Sequence, residues 1–338
     1  MTGLTGYLNE LIEGNDLTFD QAGEVLDTIF QGDVAEAQIA AFLTAMRIKG
    51  TQPCELAGLA KSLRDHAVHI ETKIDNLIDT CGTGGAAVKT FNISTAAAIV
   101  AAGAGAHVAK HGNRGITSKC GSADVLEALG VKIDAAPPII AACIEQAGIG
   151  FMFAPMFHPA MKFVQPIRKS LGFRTVFNVL GPLANPAGAK AQVMGVPRED
   201  LIDTIIETHR ILGARRVLVV HSDGLDEIST LGPTQIRQLR DGRVSSIELD
   251  PAELGISRAS SDQLAGGDAA ENAGTIRDII QGRQKGPKKD IVLLNAAAAV
   301  IVAGLAEDFE HGIKLADKAI VSGRAAEALE KLIKISNS

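Results

Sequence analysis

The sequence predicts an α/β fold: a small N-terminal helical domain, then a large domain whose mostly parallel sheet is covered by helices. Three observations predict it. The first seventy residues carry only helical periodicity, short apolar strands alternate with helical runs from Asn76 onward, and glycine-rich turns fall where strand hands over to helix. A length of 338 residues suits about two domains.

Taken in order, Thr18, Phe19, Asp20 and Gln21 open a helix with a capping-box pattern; Ala22, Val25, Leu26 and Ile29 form its apolar face and Gly32 stops it. Ala35 to Ile48 and Cys54 to Val68 repeat the helical pattern. Leu77 and Ile78 begin a strand that runs into DTCGTGG, followed by a small-residue helix from Asn92 to Ala102. A strand from His107 to Lys110 ends in HGNR. Helices are expected over Ser122–Leu129 and Pro137–Ala147, with strands over Gly150–Ala154 and Gln192–Val196. A helix over Asp200–Leu212 and a strand over Val217–His221 follow. Thr234–Leu239 and Val244–Leu249 around Asp241 and Gly242 read as a hairpin. Helices over Ile291–Leu305 and Ile313–Ile333 close the chain.

Composition narrows the function. Only 4% of residues are aromatic, with no Trp and one Tyr, so base-stacking platforms and interfacial aromatic belts lack their material. Neither nucleic acid nor membrane is expected as a partner. The four cysteines, Cys54, Cys81, Cys120 and Cys143, lie far apart and form no C-x-x-C pair, which argues against disulfides or a thiolate zinc site and fits a reducing cytoplasm. No secretory leader is read in the first residues. His66 and His69, at i, i+3, read as a surface pair, because no third ligand lies near them.

Charge is segregated. The net charge is −6, yet Thr80–Ala123 contains no acid and holds Lys89, Lys110, Arg114 and Lys119. Gln146–Arg198 is again acid-free and holds Lys162, Arg168, Lys169, Arg174, Lys190 and Arg198. Basic stretches within an acidic chain mark a focused anion site, where local attraction does not make the whole surface adhesive.

The first constellation is Gly82, Thr83, Gly84, Gly85, Ala86, Ala87, where glycines let backbone N–H groups close on phosphate. It also satisfies G-x-G-x-x-A, but a dinucleotide site needs an acid at the next strand end, and Lys110 and His111 stand there. Lys110, His111, Gly112, Asn113 and Arg114 combine a point cation, a guanidinium fork and a glycine at a strand end, and Thr117, Ser118 and Lys119 add donors; alone this run equally suits a solvated loop. Paired with the glycine turn it makes a diphosphate cradle. Asp226 and Glu227 follow a strand, with Asp223 near in sequence, in the manner of carboxylates that hold Mg²⁺ beside phosphate oxygens. His158 with Arg168 offers a fork to a carboxylate ligand.

In this order and spacing, DTCGTGG, KTFNIST, VAKHGNR, GSADVLEALG, FAPMFHPAMK and LGFRTVFNVLGPLANP resemble the anthranilate phosphoribosyltransferases over nearly the whole chain. The resemblance implies a nucleoside phosphorylase/phosphoribosyltransferase-like fold. Its helical domain would comprise residues 1–72 with 165–190 returning to it, and its α/β domain residues 73–164 and 191–338. It implies transfer of the 5-phosphoribosyl group from 5-phosphoribosyl-1-diphosphate (PRPP) to the amine of anthranilate in tryptophan biosynthesis, with Mg²⁺ and a homodimer. Carried over by position, Gly82, Thr83, Gly85, Thr90, Asn92, Ser94, Thr95, Lys110 and Ser118 would hold PRPP. Gly82, His111, Asn113, His158 and Arg168 would hold anthranilate, and Ser94, Asp226 and Glu227 the metal. One departure stands out: the family commonly reads GTGGD, and Ala86 occupies the place of that Asp.

The chemistry implied needs positioning and charge neutralisation more than a general base, as an amine displaces diphosphate at an anomeric carbon. Two rivals remain open from sequence: a pyrimidine nucleoside phosphorylase, which KHGNR with His158 and Arg168 disfavours, and a non-catalytic nucleic-acid-binding paralogue, which the acidic balance disfavours.

Overall fold

The computed structural model describes residues 3–115 and 119–338. The N-terminal part is four helices, α1 (Thr5–Ile12), α2 (Phe19–Phe30), α3 (Glu36–Lys49) and α4 (Pro53–Asp65). The capping box forms as the sequence predicts, Thr18 Oγ1 accepting from Gln21 N at 3.2 Å and Gln21 Oε1 from Thr18 N at 2.9 Å. The start of α4 is tied down by Glu55, whose buried carboxylate accepts from Leu17 N (2.9 Å), Gln52 N (2.8 Å) and Lys49 Nζ (2.9 Å). Helix α1 was not expected from the pattern, and α4 ends at Asp65, short of Val68.

The rest alternates: β1 (Leu77–Gly82), α5 (Ile93–Gly103), β2 (His107–Gly112), α6 (Ser122–Ala128), α7 (Pro137–Ala147), β3 (Ile149–Phe153), then α8 (Ala154–Phe157), α9 (Gln165–Leu171) and α10 (Phe177–Leu183). Next come β4 (Ala191–Gly195), α11 (Ile202–Ile211), β5 (Arg216–Ser222), β6 (Thr234–Arg240) and β7 (Arg243–Leu249). The chain closes with α12 (Ala269–Ile280), α13 (Pro287–Val302), α14 (Phe309–Val321) and α15 (Arg324–Ser336). The strands make one seven-stranded sheet in the order β3-β2-β1-β4-β5-β6-β7. The first five are parallel and the last two antiparallel. The hairpin turns on Asp241 (φ 50°) and Gly242 (φ 79°), the left-handed pair that matches a two-residue connection to sheet twist.

Three expectations are corrected. The helix expected over Ile313–Ile333 is two, broken at Gly323, whose φ of 79° carries the chain out of α14 before α15 begins. Helix α12 was not expected; Asp268 and Glu271 form a capping box at its start. The stretch read as a helix from Asp200 opens as a 3₁₀ turn, Glu199–Leu201, before α11.

One sheet face is covered by α5, α13 and their neighbours, an aliphatic core built on Ile99, Val100, Leu294 and Val300. On the other, Met194, Val217 and Val219 share a core with α11 and with the N-terminal helices. Val164, Ile167, Val176, Phe177, Leu180 and Leu183, from the segment between β3 and β4, lie in that same helical core. The strand order reverses direction between β1 and β4, so a crevice opens beyond their carboxyl ends, the place where open α/β sheets take ligands.

Candidate active site

The crevice is occupied by the glycine turn on one side and the acid pair on the other. Gly82 and Gly195 are register partners at the ends of β1 and β4. A Cβ on Gly82 would lie 2.2 Å from Asp226 Oδ2, and one on Gly195 would lie 1.6 Å from the Asp226 carbonyl oxygen, so both strands must end in glycine for Asp226 to sit there. Asp226 Oδ2 accepts from Gly84 N at 3.0 Å, and Glu227 Oε1 accepts from Ser94 N at 3.2 Å in the first turn of α5. Asn295 on α13 grips the next residue, receiving from Ile228 N (3.0 Å) and donating to Ile228 O (2.9 Å). Burial raises both acids; with Asp226 beside it, Glu227 is pushed up to about 8.

Lys110, at the end of β2, is 1% exposed and donates to Thr80 O at 2.5 Å. Burial lowers its pKa, opposed chiefly by the charge of Asp79. Asp79 is itself fully buried and accepts four hydrogen bonds, from Thr80 N (2.8 Å), His111 N (3.3 Å), Asn185 Nδ2 (3.0 Å) and Gln192 Nε2 (3.2 Å). It therefore joins β1, β2, β4 and the segment that leads back from α10. Among the described residues the buried hydroxyls of Thr83 and Thr95 have no hydrogen-bond partner, the condition of groups made for a ligand or water.

A cleft of about 330 Å³ brings Gly82, Thr83, Gly85, Thr90, Asn92, Ser94, Thr95, Lys110, His111, Asn113, Asp226 and Glu227 together. The side chain of Asn92 is committed within the protein, donating to Cys120 O (3.2 Å) and accepting from Asn272 Nδ2 (3.0 Å). Ser118 and Thr117 lie outside the described residues. His158 stacks at a tilt against His111, ring centroids 5.0 Å apart. Burial pushes His111 down to about 4 and His158, with His111 beside it, to about 3, so both are neutral imidazoles. Arg168 does not line this cleft; it lies on α9 with its guanidinium 5.4 Å from the Phe177 ring.

Two sequence readings change. Arg114 lines the cleft, but its guanidinium fork is taken up by Asp124 and Glu127, because two carboxylates outcompete an open cleft. Asp223 does not join the acid pair but lines a separate open hollow with His221 and Arg198. Sequence reasoning missed Asp79, Asn178 and Asn295, and registered Arg174 only as charge. Arg174 and Asn178, from the chain around α10, also line the cleft.

Comparison with known proteins places this geometry. Residues 74–326 match the model described as glycosyl transferase family, a/b domain, and residues 5–67 the helical bundle domain of that family. The chain is 49% identical over 330 residues to the anthranilate phosphoribosyltransferase of Desulfatibacillum aliphaticivorans, with 97% of each covered. It is similar to the solved anthranilate phosphoribosyltransferase from Thermus thermophilus, with a TM-score of 0.93 and 40% identity, covering 98% of this chain and 99% of that one. The Saccharomyces cerevisiae enzyme in complex with PRPP and Mg gives a TM-score of 0.89 at 27% identity, over 99% of this chain and 98% of that one. Its complex with 4-fluoroanthranilate gives 0.88 at 26% identity, with the same coverage.

Proposed function

The chain belongs to the anthranilate phosphoribosyltransferases of this glycosyl transferase family, and from that premise we propose how its own residues divide the work. It transfers the 5-phosphoribosyl group of PRPP to the amine of anthranilate, giving N-(5-phosphoribosyl)anthranilate and diphosphate in tryptophan biosynthesis. The observation that carries the reading into this molecule is the meeting of the Gly82–Gly85 turn, Lys110 and a half-buried carboxylate pair at the carboxyl ends of β1, β2 and β5.

The donor is held by Gly82, Thr83, Gly85, Thr90, Asn92, Ser94, Thr95 and Lys110, and Ser118 is assigned to it by the resemblance alone. The hydroxyls of Thr83 and Thr95, without a partner among the described residues, support this. Lys110 meets the charge that grows on the leaving diphosphate, as a preorganised cation in a dry setting. His111 and Asn113, with Gly82, face the acceptor, and His158 and Arg168 complete its path from the helical side. The neutral His111 offers Nε2, unpartnered among the described residues, to hydrogen-bond the acceptor. The new bond joins the anthranilate nitrogen to the anomeric carbon, the bond from that carbon to diphosphate oxygen breaks, and the amine loses a proton.

The acid pair fits a divalent cation. Two half-buried carboxylates stand side by side, and both stay raised above their ordinary values although Lys89 and Arg174 act on Asp226 and Lys110 on Glu227. Asp226 and Glu227 with Ser94 leave room for water and phosphate oxygens, the mixed oxygen set that suits Mg²⁺. When bound, the ion supplies positive charge to the diphosphate.

The domain division is 1–72 with 165–190 against 73–164 with 191–338, supported by the shared helical core. A homodimer is supported by Ile12 and Ile48, 74% and 81% exposed on α1 and α3. A cytoplasmic location is supported by the wide spacing of Cys54, Cys81, Cys120 and Cys143, none of which forms a C-x-x-C pair. Among the described residues no helix is long and apolar enough to cross a membrane.

The test is fluorimetric. Anthranilate fluorescence should decay only when PRPP and Mg²⁺ are both present. Turnover of thymidine or uridine with phosphate, and none with this mixture, would overturn the reading.

A further inference from the structure

Arg174 lies in the short connection between α9 and α10, on the chain segment that shares the helical core, yet its guanidinium reaches the glycine turn of the sheet. Nη1 donates to Gly84 O at 3.2 Å. A Cβ on Gly85 would stand 2.2 Å from the same nitrogen, so the second glycine of the pair leaves the space that the guanidinium fills. Gly84 N donates to Asp226 Oδ2 at 3.0 Å, so a single residue, Gly84, links Arg174 to the acid pair.

The other cations of the cleft are already engaged. Arg114 is bound to Asp124 and Glu127, Lys110 is buried beside Asp79, and Lys89 Nζ donates to Ala86 O at 2.7 Å. Arg174 is exposed, forms no carboxylate ion pair among the described residues, and uses one of its five N–H groups in the hydrogen bond to Gly84. A planar fork with free donors, set against a turn of backbone N–H groups, suits phosphate oxygens.

We infer that Arg174 is a donor-binding residue: its guanidinium takes a diphosphate oxygen of PRPP from the helical side of the cleft. The inference rests on the phosphoribosyl-transfer reading above. Diphosphate, held by the glycine turn and by Arg174, then bridges the two parts of the chain.

The test is isothermal titration calorimetry of inorganic diphosphate, with Mg²⁺ present, into the full-length protein and into Arg174→Ala, Arg174→Lys and Arg168→Ala. Anthranilate KM and thermal midpoint are measured alongside. Arg174→Ala should weaken diphosphate binding roughly tenfold or more, the loss expected for a charge-assisted hydrogen bond. Arg174→Lys should recover part of it, and Arg168→Ala should leave it near the unmodified value. Equal diphosphate affinity in Arg174→Ala and the unmodified protein would overturn the inference. So would equal loss of diphosphate and anthranilate binding with a lowered midpoint, which marks a structural role. An unmodified protein that consumes no anthranilate with PRPP would instead overturn the underlying reading.

Discussion

Asn295 holds Ile228 as a neighbouring strand would, accepting its N–H at 3.0 Å and donating to its carbonyl at 2.9 Å from a helix far along the chain. The same amide donates to Ile291 O at 2.9 Å, so it is anchored to α13 while it grips the residue after the acid pair. Asp226 and Glu227 are thereby fixed from behind, with no contact between Asn295 and the open cleft.

Replacing Asn295 by Leu should leave the Ile228 backbone groups buried without partners, at a cost of about 1–3 kcal/mol each. The thermal midpoint should fall, and the Mg²⁺ concentration for half-maximal rate should rise as the acids lose their fixed position. A Mg²⁺ titration of the rate checks this; an unchanged half-maximal concentration would show that the amide serves stability alone.

Lys110→Met keeps the buried stem and removes the charge. Losing one preorganised donor to a developing anion costs on the order of 100-fold or more in rate, so kcat/KM for PRPP should fall by about that much. The anthranilate KM should move less. Steady-state kinetics with either substrate varied separates the two, and unaltered kinetics would remove Lys110 from the reaction.

Ala86 lines the cleft at the end of the glycine turn, and its carbonyl receives Lys89 Nζ. A carboxylate introduced by Ala86→Asp would repel diphosphate and attract cations at once. The shape of rate against Mg²⁺ should change and the PRPP KM should move, while the anthranilate KM stays nearly constant. Superimposable Mg²⁺ curves would detach position 86 from the metal site.

His209 is buried in α11, where desolvation, with the nearby Arg64 charge, pushes it down to about 3. Its ordinary value is near 6.5, so between these limits the unfolded chain binds the extra proton and the native state does not. Its effect on stability is absent above pH 6.5 and grows more unfavourable as pH falls toward about 3, by up to roughly 1.4 kcal/mol per unit. The midpoint of the unmodified protein should therefore drop relative to His209→Gln as pH is lowered from about 7 to about 4. A difference independent of pH would contradict this.

The turn at Gly82–Gly85 and the acids at 226 and 227 were legible because their residue types announce their chemistry: open backbone donors and a carboxylate pair, each at a strand end. Asn295 was not, since it stands in the Ala-rich run of α13 and matters only through pairing with a residue remote in sequence. Arg114 misled for the opposite reason: its charge was visible, but Asp124 and Glu127, which consume it, belong to the next helix. Helix α10 was illegible by pattern because Pro182 lies inside it, and its place is set by the apolar contacts of Phe177 and Leu180. The break at Gly323 was hidden by amphipathic spacing that continues on both sides of it.

The seat of Asp226 on Gly82 and Gly195 also sets the order in which function can emerge as the chain is made. Strand β1 leaves the ribosome long before its partner β4, the acid that rests on both follows later, and the amide that grips Ile228 comes later still. Domains fold as units during synthesis, so a nascent chain stopped anywhere before α13 carries the glycine turn without a completed counterpart. The helical core likewise waits for Val176, Phe177 and Leu180, and then for Val219 and Leu239, before it is complete. Substrate therefore first meets the completed cleft, with Asn295 behind the acid pair, when nearly the whole polypeptide has been delivered.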